Sequence, residues 1–377
     1  MKVCILSMQR VGNFGSLLQS YALKKLLEQC GHSVSFLDIE RNDADDQMRQ
    51  GKALSSAVRE HGFVHKLKKL DRYALNRLTI KKLAQKQDTG FEHFRRRMLG
   101  MEGNANNSRY DCCVIGSDEV FNCMSESPWG FTSQLFGNVK QARGVITYAA
   151  SCGATTFEDL PEAVADRIRQ AFENVSAFSV RDENTRQFVS RLTDTPAEEY
   201  FDPVVVGDFD QEIQNAALPQ NLPERYCVVY SYYNRICRQE EIRAIRRFCR
   251  EHRLKIIAVG APQMWIRNYL VLEPFRMLKV FQHADFVITD TFHGTIFSAK
   301  YVKRFATVTR PSNENKLRDL IAKLGLEKHA VCSFEQLEEA YAVQNDTDRI
   351  RKLSEEERTR SMRYLSESIS LSREARS

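Results

Sequence analysis

Two short strands with a helix between them, all within the first 38 residues, constrain the fold more than any other feature of the chain. Val3 to Met8 is an apolar run of strand length, and Gly12-Asn13-Phe14-Gly15-Ser16 is turn-rich. Leu17 to Cys30 carries Leu18, Ala22 and Leu26 at helical spacing before Gly31, and Val34 to Asp38 resumes as a strand. Strand, loop, helix, strand is the repeat of parallel sheets, because a parallel neighbour is reached only by a crossover.

The repeat returns along the chain. Cys112 to Ile115 ends in Gly116-Ser117-Asp118, and Val145 to Ala150 ends in Ser151-Cys152-Gly153. Ala177 to Val180, reached through a helix with Pro161 in its first turn, ends in Arg181-Asp182-Glu183. Phe201 to Pro223 gathers prolines, glycine and acids and reads as a lobe junction. Beyond it strands follow at Tyr226 to Ser231, Lys255 to Gly260, Phe286 to Thr289 and Phe305 to Val308, with helical runs at Arg238 to His252, Pro274 to His283 and Gly294 to Lys300. At 377 residues the chain has room for two cores. The expected architecture is α/β, with two Rossmann-like lobes and a central cleft. Its parts are residues 1–205 with a basic helical insertion near 61–100, residues 206–345, and a polar C-terminal helix over 346–377 in which Ser354 and Glu357 have capping-box spacing.

Composition excludes several classes. The ten cysteines include no CxxC pair, which argues against zinc ribbons and dithiol redox sites; thiols inside apolar runs such as Asp111 to Ile115 fit reduced, packed cysteines in the cytoplasm. The N-terminal apolar run is too short for a signal peptide, and no stretch of about 18 apolar residues exists to cross a bilayer. The net charge of +6 is local, since His61 to Gly100 holds 11 Lys or Arg against 3 Asp or Glu. With Leu67, Leu70, Leu75, Leu78 and Leu83 on one side, that segment reads equally as a solvated helical hairpin or as a peripheral contact with anionic lipid. It lacks the aromatic interleaving of a nucleic-acid platform.

Candidate chemistry collects at strand ends, where open α/β sheets place ligands. Ala284 to Ser298 delivers Asp290 and Thr291 to a sheet edge and sets His293, Gly294 and Thr295 at a helix start, where free N–H groups and the helix dipole favour an anion. His293 there is either a proton donor or a helix cap. Gly12, Asn13 and Gly15, with Gln19 inside the following helix, form a binding loop or a structural turn; neither a GxGxxG nor a P-loop fingerprint is present, so no nucleotide cofactor is implied. Ser117, Asp118 and Asn122 are candidate acceptor-hydroxyl contacts, or a capped helix start. Arg181 is placed for bidentate binding of a carboxylate or phosphate, or for a local salt bridge. Metal-ligand spacings among histidines are absent, and the acidic triplets at 43–45, 208–210 and 346–348 lie in polar surroundings, so no metal is expected.

Several segments together resemble the polysaccharide pyruvyl transferase family from about Met1 to Val331. They are Gly12-Asn13-Phe14-Gly15 with Leu18 to Leu23, Ile115 to Asn122, Tyr148 to Gly153, Ser179 to Glu183, Phe201-Asp202-Pro203, Ala284 to Ser298, and Lys323 to Leu326. The resemblance implies a fold similar to two-lobed GT-B glycosyltransferases, phosphoenolpyruvate as donor, and a glycan or lipid-linked sugar as acceptor. It makes His293 the catalytic acid and Arg181 its anion-binding partner, in an electropositive notch between the lobes. Members often carry Arg-Leu-His where this chain has Thr291-Phe292-His293. The alternatives are glycosyl transfer from a nucleotide sugar and a non-catalytic binding member of a glycan-assembly complex.

Overall fold

The structure, a computed structural model, describes residues 1–51, 70–102, 105–311 and 314–374. The first sheet joins β1 (Lys2–Leu6), β2 (Ser33–Leu37), β3 (Tyr110–Ile115), β4 (Ala142–Thr147), β5 (Val175–Val180) and β6 (Ala197–Glu199) in the order β2-β1-β3-β4-β5-β6. The second joins β7 (Tyr226–Ser231), β8 (Lys255–Gly260), β9 (Phe286–Thr289), β10 (Phe305–Val308) and β11 (Ala330–Val331) in the order β11-β10-β9-β7-β8. Every pairing between these strands is parallel. The central strands are continuous apolar runs because helices cover both faces: Cys4, Ile5 and Leu6, like Phe286, Val287 and Ile288, are fully buried. The expected α/β architecture of two lobes is the one found.

Both sheets share one winding rule. The chain leaves β1 for β2 on one side and returns to β3 on the other; it leaves β7 for β8 and returns to β9 on the other. Each sheet therefore has a switch point, between β1 and β3 and between β7 and β9, where the following loops part and leave a crevice.

The last helix, Thr347–Glu374, returns to the first lobe. Its Tyr364, Leu365 and Ile369 are buried, Tyr364 Oη donates to Thr147 O at 3.0 Å, and Tyr148 Oη donates to Ser361 Oγ at 2.8 Å. The capping box expected at Ser354 and Glu357 is not formed. Ser354 lies well inside the helix and its hydroxyl donates back to Ile350 O at 2.8 Å.

The basic segment lies partly outside the described residues. From Leu70 it is helical to Phe94 and closes in a π-helical turn, Arg95–Leu99. One side of its end packs on the lobes while Arg96 and Arg97 are exposed. Phe91 and Phe94 are buried, Arg95 donates to the carbonyls of Gln9, Arg10 and Val11, and the Gln87 amide pairs with both backbone groups of Leu272 in the second lobe. Among the described residues no helix is long and apolar enough to cross a membrane.

Candidate active site

Four loops, two from each switch point, meet face to face. They line a cavity of about 170 Å³ with Gly12, Asn13 and Phe14 after β1, Asp118 after β3, Ser231 and Tyr232 at the end of β7, and Thr291 and His293 after β9, and Gly260 and Ala261 at the end of β8 join them. Two helices begin at its wall. Phe14–Gln29 is capped by Asn13, whose side chain accepts from Ser16 N at 2.7 Å, and Phe292–Tyr301 is capped by Thr291, whose hydroxyl accepts from Gly294 N at 3.0 Å. The positive ends of both helix dipoles thus point at one space.

Thr291 does the capping, which frees His293 to reach across the cleft. The ring packs against Gly15 so closely that a Cβ at position 15 would lie 2.2 Å from His293 Nδ1. Only glycine admits the histidine there. His293 Nε2 stands 3.5 Å from Asp202 Oδ2 and makes no hydrogen bond among the described residues.

Asp202 is the hub. It caps the short helix Pro203–Val206 by accepting from Val204 N at 2.9 Å through Oδ1. Its Oδ2 accepts from Arg181 Nη1 at 3.0 Å and from Ser117 Oγ at 3.1 Å. Burial alone would push the Asp202 carboxyl up, but the charges of His293 and Arg181 and the bond from Val204 outweigh it, so the group is held well below the usual carboxylate range.

Asp118 has a left-handed backbone, φ +74°, rare for a residue with a side chain. Its carboxylate accepts from Ser16 Oγ at 2.7 Å through Oδ2 and from Glu119 N at 3.0 Å through Oδ1. That arrangement turns the group into the cavity.

Several expected contacts turn out otherwise. Arg181 is only 6% exposed, lies 4.1 Å over the Phe292 ring, and has Asp202, Asp118 and Asp182 within 3.9 Å. It orients carboxylates instead of facing the cavity, and the notch is not electropositive through a free guanidinium. Gln19 is fully enclosed, its amide nitrogen donating to Ser7 Oγ, Ser16 O and Ser20 Oγ. Thr295 is enclosed too, donating to Thr291 O at 2.9 Å. Gly294 serves close packing against Thr289, Thr291 and Tyr230, not ligand approach. Asp290 points behind the cavity wall, where it accepts from Ser231 Oγ at 2.6 Å and pairs with Arg235 and Arg310, each at 3.3 Å. Asn122 bridges Glu119 and Thr155. Ser117 reaches Asp202 and so supports the hub. Gly12, Asn13, Asp118, Thr291 and His293 remain at the cavity itself. Among the described residues no cluster of His, Cys, Asp or Glu is arranged to hold a metal.

Asp202 was legible only as part of an Asp-Pro at a junction. Its signal is an acid immediately before a proline at a helix start, the pattern of an N-cap with proline at N1.

Fold and site define a two-lobed α/β protein whose candidate active site is completed by both lobes at facing switch points. The chain belongs to the polysaccharide pyruvyl transferase family, whose model matches residues 13–312. No curated protein matches it. Among solved structures it is similar to UDP-GlcNAc 2-epimerase from Methanocaldococcus jannaschii in complex with UDP-GlcNAc and UDP, with 11% identity over 97% of this chain and 100% of that one, TM-score 0.47. It is also similar to UDP-N-acetylglucosamine 2-epimerase from Rickettsia bellii, with 10% identity over 98% and 97%, TM-score 0.47. A third is a UDP-glucosyltransferase from Polygonum tinctorium, with 10% identity over 98% of each chain, TM-score 0.45.

Proposed function

We propose that this protein moves a pyruvyl group from phosphoenolpyruvate to a sugar of a surface polysaccharide or its lipid-linked precursor, in the cytoplasm. The observation that carries the reading is His293 of one lobe set against the Asp202 carboxylate of the other, beside a cavity at two helix N-termini. A carboxylate across the cleft orients the imidazole, and an oriented imidazole is a group that can pass a proton to a bound donor. At about 170 Å³ the cavity is small for a nucleotide sugar, since sites for drug-sized ligands start at roughly 300 Å³, and it suits a three-carbon acid phosphate. The two helix N-termini, in place of an arginine at position 291, attract the anion.

In this reading His293 gives its proton to the donor's methylene carbon, which becomes a methyl group while the central carbon turns electrophilic. Asp118 takes the proton of one acceptor hydroxyl as its oxygen bonds to that carbon. The bond to the phosphate oxygen breaks, and a second hydroxyl closes the ketal. One hydroxyl proton replaces the one spent on the methyl group, and the other leaves with phosphate. Asp118 of the first lobe serves the acceptor hydroxyl and His293 of the second serves the donor. A peripheral contact with anionic lipid through the basic segment 61–100 belongs to the same proposal.

Calorimetric titration with phosphoenolpyruvate against a panel of nucleotide sugars tests the donor. Heat from phosphoenolpyruvate alone is expected; binding only of a nucleotide sugar rejects the proposal in favour of glycosyl transfer. The His293→Ala protein is expected to bind donor yet lose product formation by about 10²- to 10⁴-fold. Undiminished turnover would remove the acid assignment.

A further inference from the structure

Among the described residues the exposed large apolar side chains are Tyr232, Tyr233 and Leu371; Tyr232 lines the cavity and Tyr233 follows it in the chain. Tyr232 is 55% and Tyr233 58% exposed, whereas most aromatic rings of the chain are buried. Isolated exposed aromatics need no explanation, but a pair held rigidly beside a site does.

The turn that carries them is built to stay put. Arg235 N donates to Tyr232 O at 3.2 Å, Asn234 adopts a left-handed φ of +47°, and Asn234 N donates to Pro262 O at 3.3 Å. Gln263, 1% exposed, donates to Tyr232 O at 2.8 Å and accepts from Ile236 N at 3.4 Å. Trp265 Nε1 donates to Ile236 O at 2.8 Å, and Tyr233 Oη meets Met264 Sδ at 3.7 Å. The Arg235 guanidinium lies 5.4 Å from the Tyr232 ring centroid and pairs with Asp290, the residue before Thr291. The rings are therefore ordered before any ligand arrives, so little entropy is lost on binding.

We propose that Tyr232 and Tyr233 form a stacking platform for a pyranose ring of the acceptor, holding its hydroxyls toward Asp118 and His293. This deepens the reading above and rests on it for the acceptor's place in the reaction. The ring face of tyrosine is electron-rich, and the axial C–H face of a pyranose is weakly positive and apolar, so the two pack with small but additive gains. Tyr232 lines the same cavity as Asp118 and His293, which puts a stacked sugar next to the proposed base and acid. Two tyrosines cover far too little area for a protein partner, whose stable interfaces bury on the order of 1,200 Å² or more.

The test is a glycan array printed with pyranosyl repeat units of bacterial surface polysaccharides, probed with the wild-type chain, a Y232A/Y233A variant and a Y232F/Y233F variant. Wild type is expected to capture pyranosyl glycans. The alanine variant should lose about tenfold in affinity for them, and the phenylalanine variant should stay within about threefold, because stacking needs the ring and not the hydroxyl. Equal capture by wild type and the alanine variant overturns the platform, as does a wild type that captures no glycan. So does loss of uridine monophosphate binding with glycan capture intact, which would mark a nucleobase platform instead. Calorimetry of the wild type with phosphoenolpyruvate separates the two readings: a wild type that ignores it refutes the donor while leaving the glycan result standing.

Discussion

Gly15→Ala is the sharpest test of how the lobes make the site. Gly15 sits in the first turn of the helix Phe14–Gln29, where alanine is the better helix former by up to about 1 kcal/mol, so local stability should hold or rise. The added Cβ, however, would lie 2.2 Å from His293 Nδ1, 2.4 Å from Cγ and 2.8 Å from Cε1. Ordinary contact begins at 3.4 Å, so the ring has to move by at least 1.2 Å, the difference between 3.4 and 2.2 Å, or the lobes have to part by as much. Either response carries Nε2 away from its place 3.5 Å from Asp202. A displacement of about 1 Å at a reacting group costs on the order of 100-fold, so kcat/KM should fall about 100-fold, with a stability loss by urea titration no larger than the roughly 1–3 kcal/mol of an overpacked site. Gly90→Ala, where a Cβ meets nothing within 4 Å, is the control and should keep full activity. A Gly15→Ala enzyme within about threefold of wild type would refute the claim that His293 works from this position.

Three further outcomes follow from the same geometry. Asp118→Asn should lower kcat by about 10²- to 10⁴-fold while phosphoenolpyruvate binding by calorimetry is unchanged; loss of donor binding would make Asp118 a donor contact. Asp202→Asn should destabilise the chain by about 3 kcal/mol by weakening a buried ion pair. Because the Asp202 carboxyl is held low in the folded state, that difference should be full above the unfolded carboxylate value near pH 4 and should close only as pH falls below it; urea midpoints of both proteins that converge between pH 6 and 5 would contradict this. Tyr364→Ala removes a buried ring 4.7 Å from that of Tyr200 together with the bond to Thr147, and should cost about 3–5 kcal/mol by denaturant titration. A loss below about 1 kcal/mol would mean that the last helix is not anchored there.

What sequence alone discloses here follows burial. β7, β8, β9 and β10 lie where their apolar runs place them, because a strand buried on both faces reads as one unbroken run. β4 was expected at Val145 to Ala150 but spans Ala142–Thr147; Tyr148, Ala149 and Ala150 are equally buried, but the ladder breaks at Ala149, whose φ is +46°, and Ala150 resumes only as single parallel bridges to Asp118 and Val180. β6 is the triplet Ala-Glu-Glu, with no apolar pattern to announce it. The loops that make the site were legible because each follows a buried strand. Which side chains face the cavity was not, since spacing does not set how a helix is rotated on its sheet, and so Gln19 and Thr295 turned inward.

The role of Asp202 was hidden for a different reason, which bears on how the site works. Its meaning depends on partners far along the chain: Ser117 lies 85 residues before it, and His293 comes from the other lobe. Ser117, Arg181 and Asp202 stay together whatever the lobes do, since all three follow strands of one sheet. His293 does not. Lys316 and Lys323, on the helix Glu314–Leu324 of the second lobe, pair with Glu119 and Glu199 of the first, and Asp319 on the same helix accepts from Glu183 N at 3.0 Å. These exposed or half-exposed pairs are each worth little; the seam itself is buried packing, in which Phe14 meets Tyr230 and Tyr21 meets Phe275. With the histidine on one lobe and its carboxylate on the other, the pair exists only where the two lobes pack together, so a substitution that loosens this seam should weaken the site along with the fold.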